Sequence, residues 1–340
     1  MGNIVSQDLE RIFDSLTSAE RAKFYDSVIL LTGAAGLLGF YFVNFFANFR
    51  EKLGIKKLIC LDNFRVGRPK WLKDIAPEQF CEIHDFDIVC DDISTVSGLE
   101  NADYIFHMAS IASPTFYRKY PIETLDANVW GLRKLLDYYS GKKIKGLEFF
   151  SSSEIYGDAA PESIPTPETY RGNVDCQGPR ACYDEAKRFG ETMCYLFRRR
   201  YNLPVTIVRP FNNYGPGMRL NDKRVPADFA EAVYKNRDIE ILSDGTPTRT
   251  FCYISDAITG YLKGILYAEK DFQAFNIGTE RPEISIKQLA EIYQEQGKKV
   301  FQYSGKIILG KKLEKKYGFC LCRKERHGNY PAVHKGACGL

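Results

Sequence analysis

Short apolar runs alternate with longer helical segments along most of the chain. Most of the runs are rich in β-branched, leucine or aromatic residues, which favours strands. They lie at residues 28–31, 57–61, 82–85, 104–107, 147–151 and 205–208. Helical patterns fill the intervals, notably residues 37–50 and 121–139. Strands that alternate with helices imply right-handed crossovers, so the pattern predicts an α/β fold with a doubly wound parallel sheet of the Rossmann type.

The residues before the first predicted strand are more polar than those that follow. Residues 1–27 are polar and helix-prone, and Thr17 with Glu20 forms a plausible capping box. We therefore predict a helical N-terminal extension that precedes a Rossmann domain over residues 28–210.

The regular alternation of predicted strands and helices ends after Pro210. Loops rich in glycine, proline, asparagine and aspartate separate shorter elements, which predicts a smaller substrate-binding lobe over residues 211–340. Within that range, residues 250–278 are expected to return to the larger domain. Ligands of such folds bind beyond the carboxyl ends of the strands, so we expect the chemistry in a cleft between the two parts.

Composition excludes several classes of protein. The 340 residues are 44% hydrophobic and 26% charged, with a net charge of +4, which gives no reason to expect nucleic-acid binding. No apolar stretch reaches the roughly 20 residues of a membrane span, and the first residues do not resemble an export signal. We therefore expect a cytoplasmic protein whose ten cysteines are reduced. The C-terminal group fits no standard metal-ligand spacing, so no metal is expected; it consists of Cys320, Cys322, Cys338, His327 and His334.

A glycine-rich turn follows the first predicted strand and opens a helix. It contains Gly33, Ala35, Gly36, Leu37 and Gly39. Glycines there allow the backbone to approach a pyrophosphate, which then lies on the amides of the helix N-terminus.

Asp62 stands at the end of the second predicted strand, where a carboxylate accepts hydrogen bonds from the ribose hydroxyls of a dinucleotide. That carboxylate repels the 2′-phosphate of NADP, although Arg65 and Arg68 lie close by in the sequence. The expected cofactor is NAD.

Tyr183 and Lys187 are four residues apart and so lie on one face of a helix. A free tyrosine is a poor base at neutral pH, and a neighbouring ammonium is expected to lower its pKa. Lysine can also hold the nicotinamide ribose. With a serine-rich strand end at residues 151–154, the order of these features resembles the short-chain dehydrogenase superfamily.

Five further stretches resemble UDP-glucuronate decarboxylases. They are residues 107–114, 178–185, 209–216, 221–225 and 248–253. In that family NAD oxidises C4 of UDP-glucuronate, the resulting β-keto acid loses carbon dioxide, and C4 is reduced again to give UDP-xylose. The resemblance also implies a homodimer packed through the helix of Tyr183.

The resemblance assigns roles to residues of this chain. Tyr183 takes the C4 proton, Ser152 shares it, and Glu154 handles a proton at C5 after oxidation, while Ser153 and Arg249 face the carboxylate and the sugar. Expected nucleotide-sugar contacts are Tyr117, Asn212, Arg224 and Val225. Further expected cofactor contacts are Asn63, Asp87, Ile88, Ala109 and Asn128.

Other readings stay open at this point. A 4,6-dehydratase needs an acid where Ser153 stands, and serine is too weak an acid to assist water loss. A 4-epimerase needs no carboxyl group at Glu154. A catalytically silent NAD-binding scaffold is a further alternative, because the chain departs from the family from about residue 308 onwards.

Overall fold

The computed structural model describes residues 3–73 and 80–310, which form two compact units. The first comprises the described residues up to Arg224 together with Thr250–Glu283, and the second comprises Val225–Arg249 and residues 284–310. The first unit therefore takes in the N-terminal extension and continues past residue 210, where the sequence pattern divides the chain. The predicted C-terminal cysteine and histidine group, and all but the first residues of the predicted atypical tail, lie outside the described residues.

The described strands are short, as is usual for such folds. In chain order they are β1 Val28–Thr32, β2 Lys57–Asp62, β3 Cys81–Asp85, β4 Tyr104–His107, β5 Gly146–Phe150, β6 Val205–Pro210, β7 Asn213–Tyr214, β8 Ile239–Ile241, β9 Thr248–Thr250, β10 Cys252–Tyr253, β11 Ala274–Ile277, β12 Glu283–Ser285 and β13 Ile307–Leu309.

The described helices alternate with these strands. They are α1 Asn3–Ser15, α2 Ser18–Ala22, α3 Leu37–Asn48, α4 Arg50–Leu53, α5 Pro114–Lys119, α6 Pro121–Asp126, α7 Leu132–Tyr139, α8 Ala181–Tyr201, α9 Val225–Tyr234, α10 Ile254–Tyr267 and α11 Ile286–Phe301. Between α6 and α7, Ala127–Gly131 forms a π-helical segment.

A seven-stranded parallel sheet forms the centre of the first unit, in the order β11-β6-β5-β4-β1-β2-β3. This confirms the predicted doubly wound fold. The order reverses between β1 and β4, where Thr32 lies opposite His107. The ends of these two strands therefore mark the crevice in which such sheets bind their ligands.

Both faces of the sheet are buried, which is why its strands are almost continuously apolar. On one face, α1, α3 and α10 pack over Ile29, Leu31 and Phe106. On the other face, α7 and α8 pack over Leu30 and Ile105.

Most of the predicted elements are confirmed, with small shifts of their ends. The predicted capping box is present: the Glu20 amide donates to the Thr17 hydroxyl, and the Thr17 amide donates to the Glu20 carboxylate. The predicted helix over residues 121–139 is instead α6, the π-helical segment and α7. In the second unit, α9 packs against α11 and β8 pairs in parallel with β13.

Candidate active site

The glycine turn brings three backbone segments close together at the end of β1. Gly33 has φ +74°, and a Cβ there would lie 2.8 Å from the backbone of Ala109. A Cβ on Gly39 would lie 2.2 Å from the Ala34 carbonyl oxygen. Gly36 precedes α3 and supplies no side-chain cap, which leaves the first-turn amides available to an anion. This cradle fits a pyrophosphate.

Asp62 lies at the end of β2 beside the glycine turn. Its two carboxylate oxygens accept hydrogen bonds from the Ala35 amide at 2.9 Å and the Phe64 amide at 2.8 Å. Burial raises the pKa of this carboxyl, while the two amides oppose that rise. Each oxygen keeps a second lone pair, so the carboxylate can still accept a ribose hydroxyl.

The other predicted cofactor residues surround the same strand ends. The Asn63 side chain donates to Asp87 at 2.9 Å, and the Ala109 amide donates to the Thr32 hydroxyl at 3.3 Å. Ile88 is buried. Asn128 is fully buried in the π-helical segment, and its side-chain oxygen has no hydrogen-bond partner among the described residues. An orphaned acceptor of this kind suits a bound ligand with a donor.

Arg219 is a residue of this region that the sequence reading missed. Its guanidinium donates to the carbonyl oxygens of Ala35 at 3.3 Å and Gly67 at 2.8 Å, and also to that of Val66. It thereby ties the loop after β2 to the glycine turn, and its charge opposes the rise in the pKa of Asp62. Nothing in the sequence spacing signals this role.

Tyr183 and Lys187 lie on one buried face of α8, with 7% and 2% of their surfaces exposed. The Lys187 ammonium donates to the Phe150 carbonyl oxygen and lies 4.9 Å from the centre of the Phe149 ring. Burial lowers the pKa of Lys187 to about 7. The same helix face thus presents both groups together, as the spacing predicts.

The expected lowering of the tyrosine pKa is wrong for the chain without ligands. Burial raises the pKa of Tyr183 to about 12, and a hydrogen bond with Ser152 only partly offsets this rise. The physical reason is that a phenolate loses more hydration in this buried position than its neighbours restore. Burial therefore favours the protonated form of Tyr183.

The serine-rich segment after β5 approaches Tyr183. Ser152 shares a hydrogen bond with the tyrosine and accepts another from the Glu154 amide at 3.2 Å. Ser153 and Glu154 begin a short 3₁₀ helix, Ser153–Tyr156, and both residues are half-buried. The structure thus brings Ser152, Glu154 and Tyr183 into one cluster.

Two charged residues complete this cluster, and the sequence reading gave them no role. Arg180, which immediately precedes α8, forms ion pairs with Glu154 and with Asp184, the latter at 3.3 Å. Burial raises the pKa of Asp184 to about 6, although Arg180 opposes the rise. The sequence does contain a signal for the pair of Arg180 with Asp184, because an arginine and an aspartate four residues apart at the start of a helix can form an ion pair.

Tyr117 packs against Tyr183. The two rings are stacked with their centres 5.4 Å apart. The Tyr117 side chain is 1% exposed, and its hydroxyl has no hydrogen-bond partner within the described ranges. An unpaired buried hydroxyl beside Tyr183 is consistent with the predicted substrate contact.

Two further buried groups support the strand ends. His107 shares a 2.8 Å hydrogen bond with Thr32, and burial lowers the pKa of the histidine to about 3, which keeps it neutral. Arg209 forms two hydrogen bonds to Glu191, at 2.9 and 2.6 Å, and Glu191 also accepts from Ser151 at 2.6 Å. Glu191 lies one helical turn beyond Lys187, so this network fixes α8 against the ends of β5 and β6.

The remaining predicted substrate residues are distributed over both units. In the first unit, the Asn212 side chain donates to the Thr250 carbonyl oxygen at 3.0 Å, and Arg224 pairs with Asp222 through two hydrogen bonds of 2.8 and 2.7 Å. Val225 and Arg249 belong to the second unit, where Arg249 is exposed and donates to the Thr248 carbonyl oxygen. Their sugar contacts stay predictions.

Across residues 3–73 and 80–310, no three or more histidine, cysteine or acidic side chains are grouped so as to hold a metal ion. None of the helices in these ranges is long and apolar enough to cross a membrane.

Comparison with known proteins identifies related chains. The sequence pattern of the NAD dependent epimerase/dehydratase family matches residues 29–278. UDP-glucuronic acid decarboxylase 3 from Arabidopsis thaliana is 34% identical over 268 residues, which are 78% of this chain and 73% of the relative. A UDP-glucose 4-epimerase from Thermotoga maritima, solved with UDP-glucose, is 24% identical with a TM-score of 0.68, covering 85% of this chain and 87% of that one. An NAD-dependent NDP-hexosamine 5,6-dehydratase of tunicamycin biosynthesis is 25% identical with a TM-score of 0.67, covering 84% of each chain.

Proposed function

The chain belongs to the NAD-dependent epimerase/dehydratase family. Within this family we propose that it decarboxylates a nucleotide-activated uronic acid, and that the reaction converts UDP-glucuronate to UDP-xylose. NAD is the cofactor of this family, and the glycine cradle, Asp62 and the orphaned Asn128 oxygen fit it. The observation that carries the proposal is Glu154, whose backbone amide donates to Ser152 and whose charge acts on Tyr183. Relatives named UDP-glucuronic acid decarboxylase support the substrate.

The proposed reaction needs proton handling at two carbon atoms. The glycine cradle and Asp62 would hold NAD, which would supply the acceptor for the C4 hydride and the source from which the hydride is restored. Tyr183, assisted by Ser152, takes the proton of the C4 hydroxyl. This step needs Tyr183 in its phenolate form, which burial disfavours. Lys187, on the same helix face, orients the nicotinamide ribose.

Glu154 acts in the second half of the reaction. The new ketone makes the C5 carboxylate a β-keto acid, which releases carbon dioxide and leaves an enolate. Glu154 takes up a proton from solvent and delivers it to C5, directly or through a water molecule. Tyr183 then returns its proton to the C4 oxygen, so the net change is loss of carbon dioxide with uptake of one proton.

Ser153 argues against the dehydratase alternative. A dehydratase must protonate a departing hydroxyl, and the residue before Glu154 is a serine, which is too weak an acid for that step. The epimerase alternative leaves Glu154 without a task. A dehydrated product differs in mass from a pentose, and an epimerised product keeps the mass of its substrate, so mass spectrometry together with proton NMR separates all three.

We further propose that the protein is a homodimer that packs through α8 and the neighbouring α6. Large apolar side chains are exposed on these elements and on the π-helical segment beside them. They include Ile122, Trp130, Phe189, Leu196 and Tyr201, each at least 45% exposed. An apolar surface of this extent favours a protein partner. Light scattering should give a dimer, and Leu196→Glu should give a monomer; a wild-type monomer contradicts this proposal.

The experiment that tests the function is product analysis. The purified protein with NAD is incubated with UDP-glucuronate, UDP-glucose and dTDP-glucose, and products are measured by mass spectrometry and by proton NMR, which distinguishes C4 epimers of equal mass. We expect a UDP-pentose from UDP-glucuronate and no change in the other two sugars. Tyr195, exposed on α8, supplies the matched control: Tyr195→Phe should keep turnover, whereas Tyr183→Phe should lower kcat by roughly 10²–10⁴-fold. A dehydrated or epimerised product would overturn the proposal.

A further inference from the structure

Arg180 joins two acidic residues that come from different elements. Glu154 belongs to the 3₁₀ turn that follows β5, and Asp184 belongs to the first turn of α8. The Arg180 guanidinium forms an ion pair with each of them, and its Nε lies 3.3 Å from the Asp184 carboxylate. One cation therefore bridges the turn that carries Glu154 to the helix that carries Tyr183.

This bridge differs from an ordinary surface ion pair. The Asp184 side chain is 8% exposed and that of Arg180 is 27% exposed. An Arg–Asp pair with the same four-residue spacing lies on α7, where Arg133 and Asp137 are 52% and 51% exposed. Exposed pairs of that kind contribute little, whereas a partly buried guanidinium that pairs with two carboxylates restricts the positions of its partners.

The fixed position matters because Glu154 itself is only half-buried. A free glutamate side chain samples several rotamers, and ordering it costs conformational entropy at each turnover. The Arg180 bridge removes much of that freedom before substrate binds. It also ties Glu154 to α8, so that the two proton-handling groups keep a constant relative geometry.

We propose that Arg180 is a positioning residue that holds the Glu154 carboxylate for proton delivery at C5. Arg180 acts through Glu154 and not on the substrate. The inference rests on the proposed function, since it assigns Glu154 the step after carbon dioxide loss. Its structural part, that Arg180 fixes the place of Glu154, can be tested separately from the reaction.

The kinetic test uses Arg180→Met, Arg180→Lys and the matched control Arg133→Met. For Arg180→Met we expect kcat to fall about 10²-fold, KM to change less than about threefold, and reduced cofactor to accumulate on the enzyme during turnover. Arg180→Lys should recover roughly tenfold of the loss, because lysine restores the charge but not the planar fork. Arg133→Met should match the wild type. If Arg180→Met keeps wild-type kcat, or loses activity without accumulating reduced cofactor, the proposal is overturned.

The structural test uses crystals of the wild type and of Arg180→Met, each with NAD. We expect the Glu154 carboxylate to leave its place beside Asp184 in the variant; an unmoved Glu154 overturns the proposal. If Arg180→Met does not fold because Asp184 is left unpaired, the double variant Arg180→Met/Asp184→Asn replaces it in both tests. If the wild type releases no carbon dioxide from UDP-glucuronate, the proposed function fails, and the crystals alone still decide whether Arg180 positions Glu154.

Discussion

Glu148 is a carboxyl group in the middle of the central sheet, and it should make the stability of the protein depend on pH. It lies on β5 with no exposed surface, and neither of its carboxylate oxygens has a hydrogen-bond partner among the described residues. Gly264 on α10 makes room for it, since a Cβ there would lie 2.5 Å from Oε1 of Glu148. Burial alone raises the pKa of this carboxyl well above its ordinary value of 4.5.

The sign and size of the effect follow from that raised pKa. The unfolded chain releases the Glu148 proton near pH 4.5, while the folded chain keeps it to a higher pH. The free energy of unfolding is therefore highest below the pKa that Glu148 has in the unfolded chain. It falls as the pH rises toward the higher pKa that Glu148 has in the folded chain. Each pH unit in this window costs at most about 1.4 kcal/mol, so the free energy of unfolding should fall by about 1–3 kcal/mol between about pH 5 and pH 7.

The assay is urea unfolding of the wild type, Glu148→Gln and Glu148→Met across this pH range. Glu148→Gln should lose the extra pH dependence because it cannot ionise. Glu148→Met should raise the free energy of unfolding at neutral pH by about 1–3 kcal/mol, because it removes an unpaired buried polar group. Glu10, exposed on α1, supplies the control Glu10→Gln, which should behave as the wild type. Identical pH profiles for the wild type and Glu148→Gln would refute the reasoning.

Three further predictions concern the cofactor, the base and the N-terminal extension. Calorimetric titration should show tighter binding of NAD than of NADP, and Asp62→Asn should reduce that preference; tighter binding of NADP would contradict the role of Asp62. Tyr183→Phe should lower kcat by roughly 10²–10⁴-fold while leaving the NAD dissociation constant within about threefold, and near-normal turnover would mean that another group takes the C4 proton. Leu9→Ala, at a fully buried position of α1, should cost about 2–5 kcal/mol in urea unfolding, whereas Ile4→Ala, 61% exposed, should cost less than about 0.5 kcal/mol; equal losses would mean that α1 does not stabilise the first unit.

The sequence predicts the fold well because local signals agree with the tertiary arrangement. The run at residues 104–107 coincides with β4, and the other predicted strands differ from β1, β2, β3, β5 and β6 only at their ends. A buried strand of a parallel sheet must be apolar on both faces, so β1 and β4 carry a strong signal, whereas the edge strand β3 is half-buried and contains Glu82, His84 and Asp85. The glycine turn and the Tyr183–Lys187 pair were predictable for a similar reason, because their spacing is set by one turn and one helix.

Features that depend on contacts between distant segments were not predictable in this way. The ion pair of Arg180 with Glu154 joins residues from two elements, and Arg219 reaches the loop after β2 from far along the chain. The sign of the pKa change at Tyr183 depends on burial, which a sequence pattern does not measure. Likewise, Glu148 falls inside a run of apolar residues, and only the structure shows that its carboxylate lacks partners.

Tyr183 and Glu154 are proposed to act in one decarboxylation, in which Tyr183 handles the proton of the C4 hydroxyl and Glu154 handles the proton at C5. In that reaction the hydrogen bonded to C4 is removed as hydride and then restored to C4. The direct measurement uses UDP-glucuronate labelled with deuterium at C4, with the product analysed by mass spectrometry and proton NMR. The account predicts a UDP-pentose that keeps the deuterium at C4, with no net consumption of NAD. A pentose without the label, or a 4-keto-6-deoxy sugar, would contradict it.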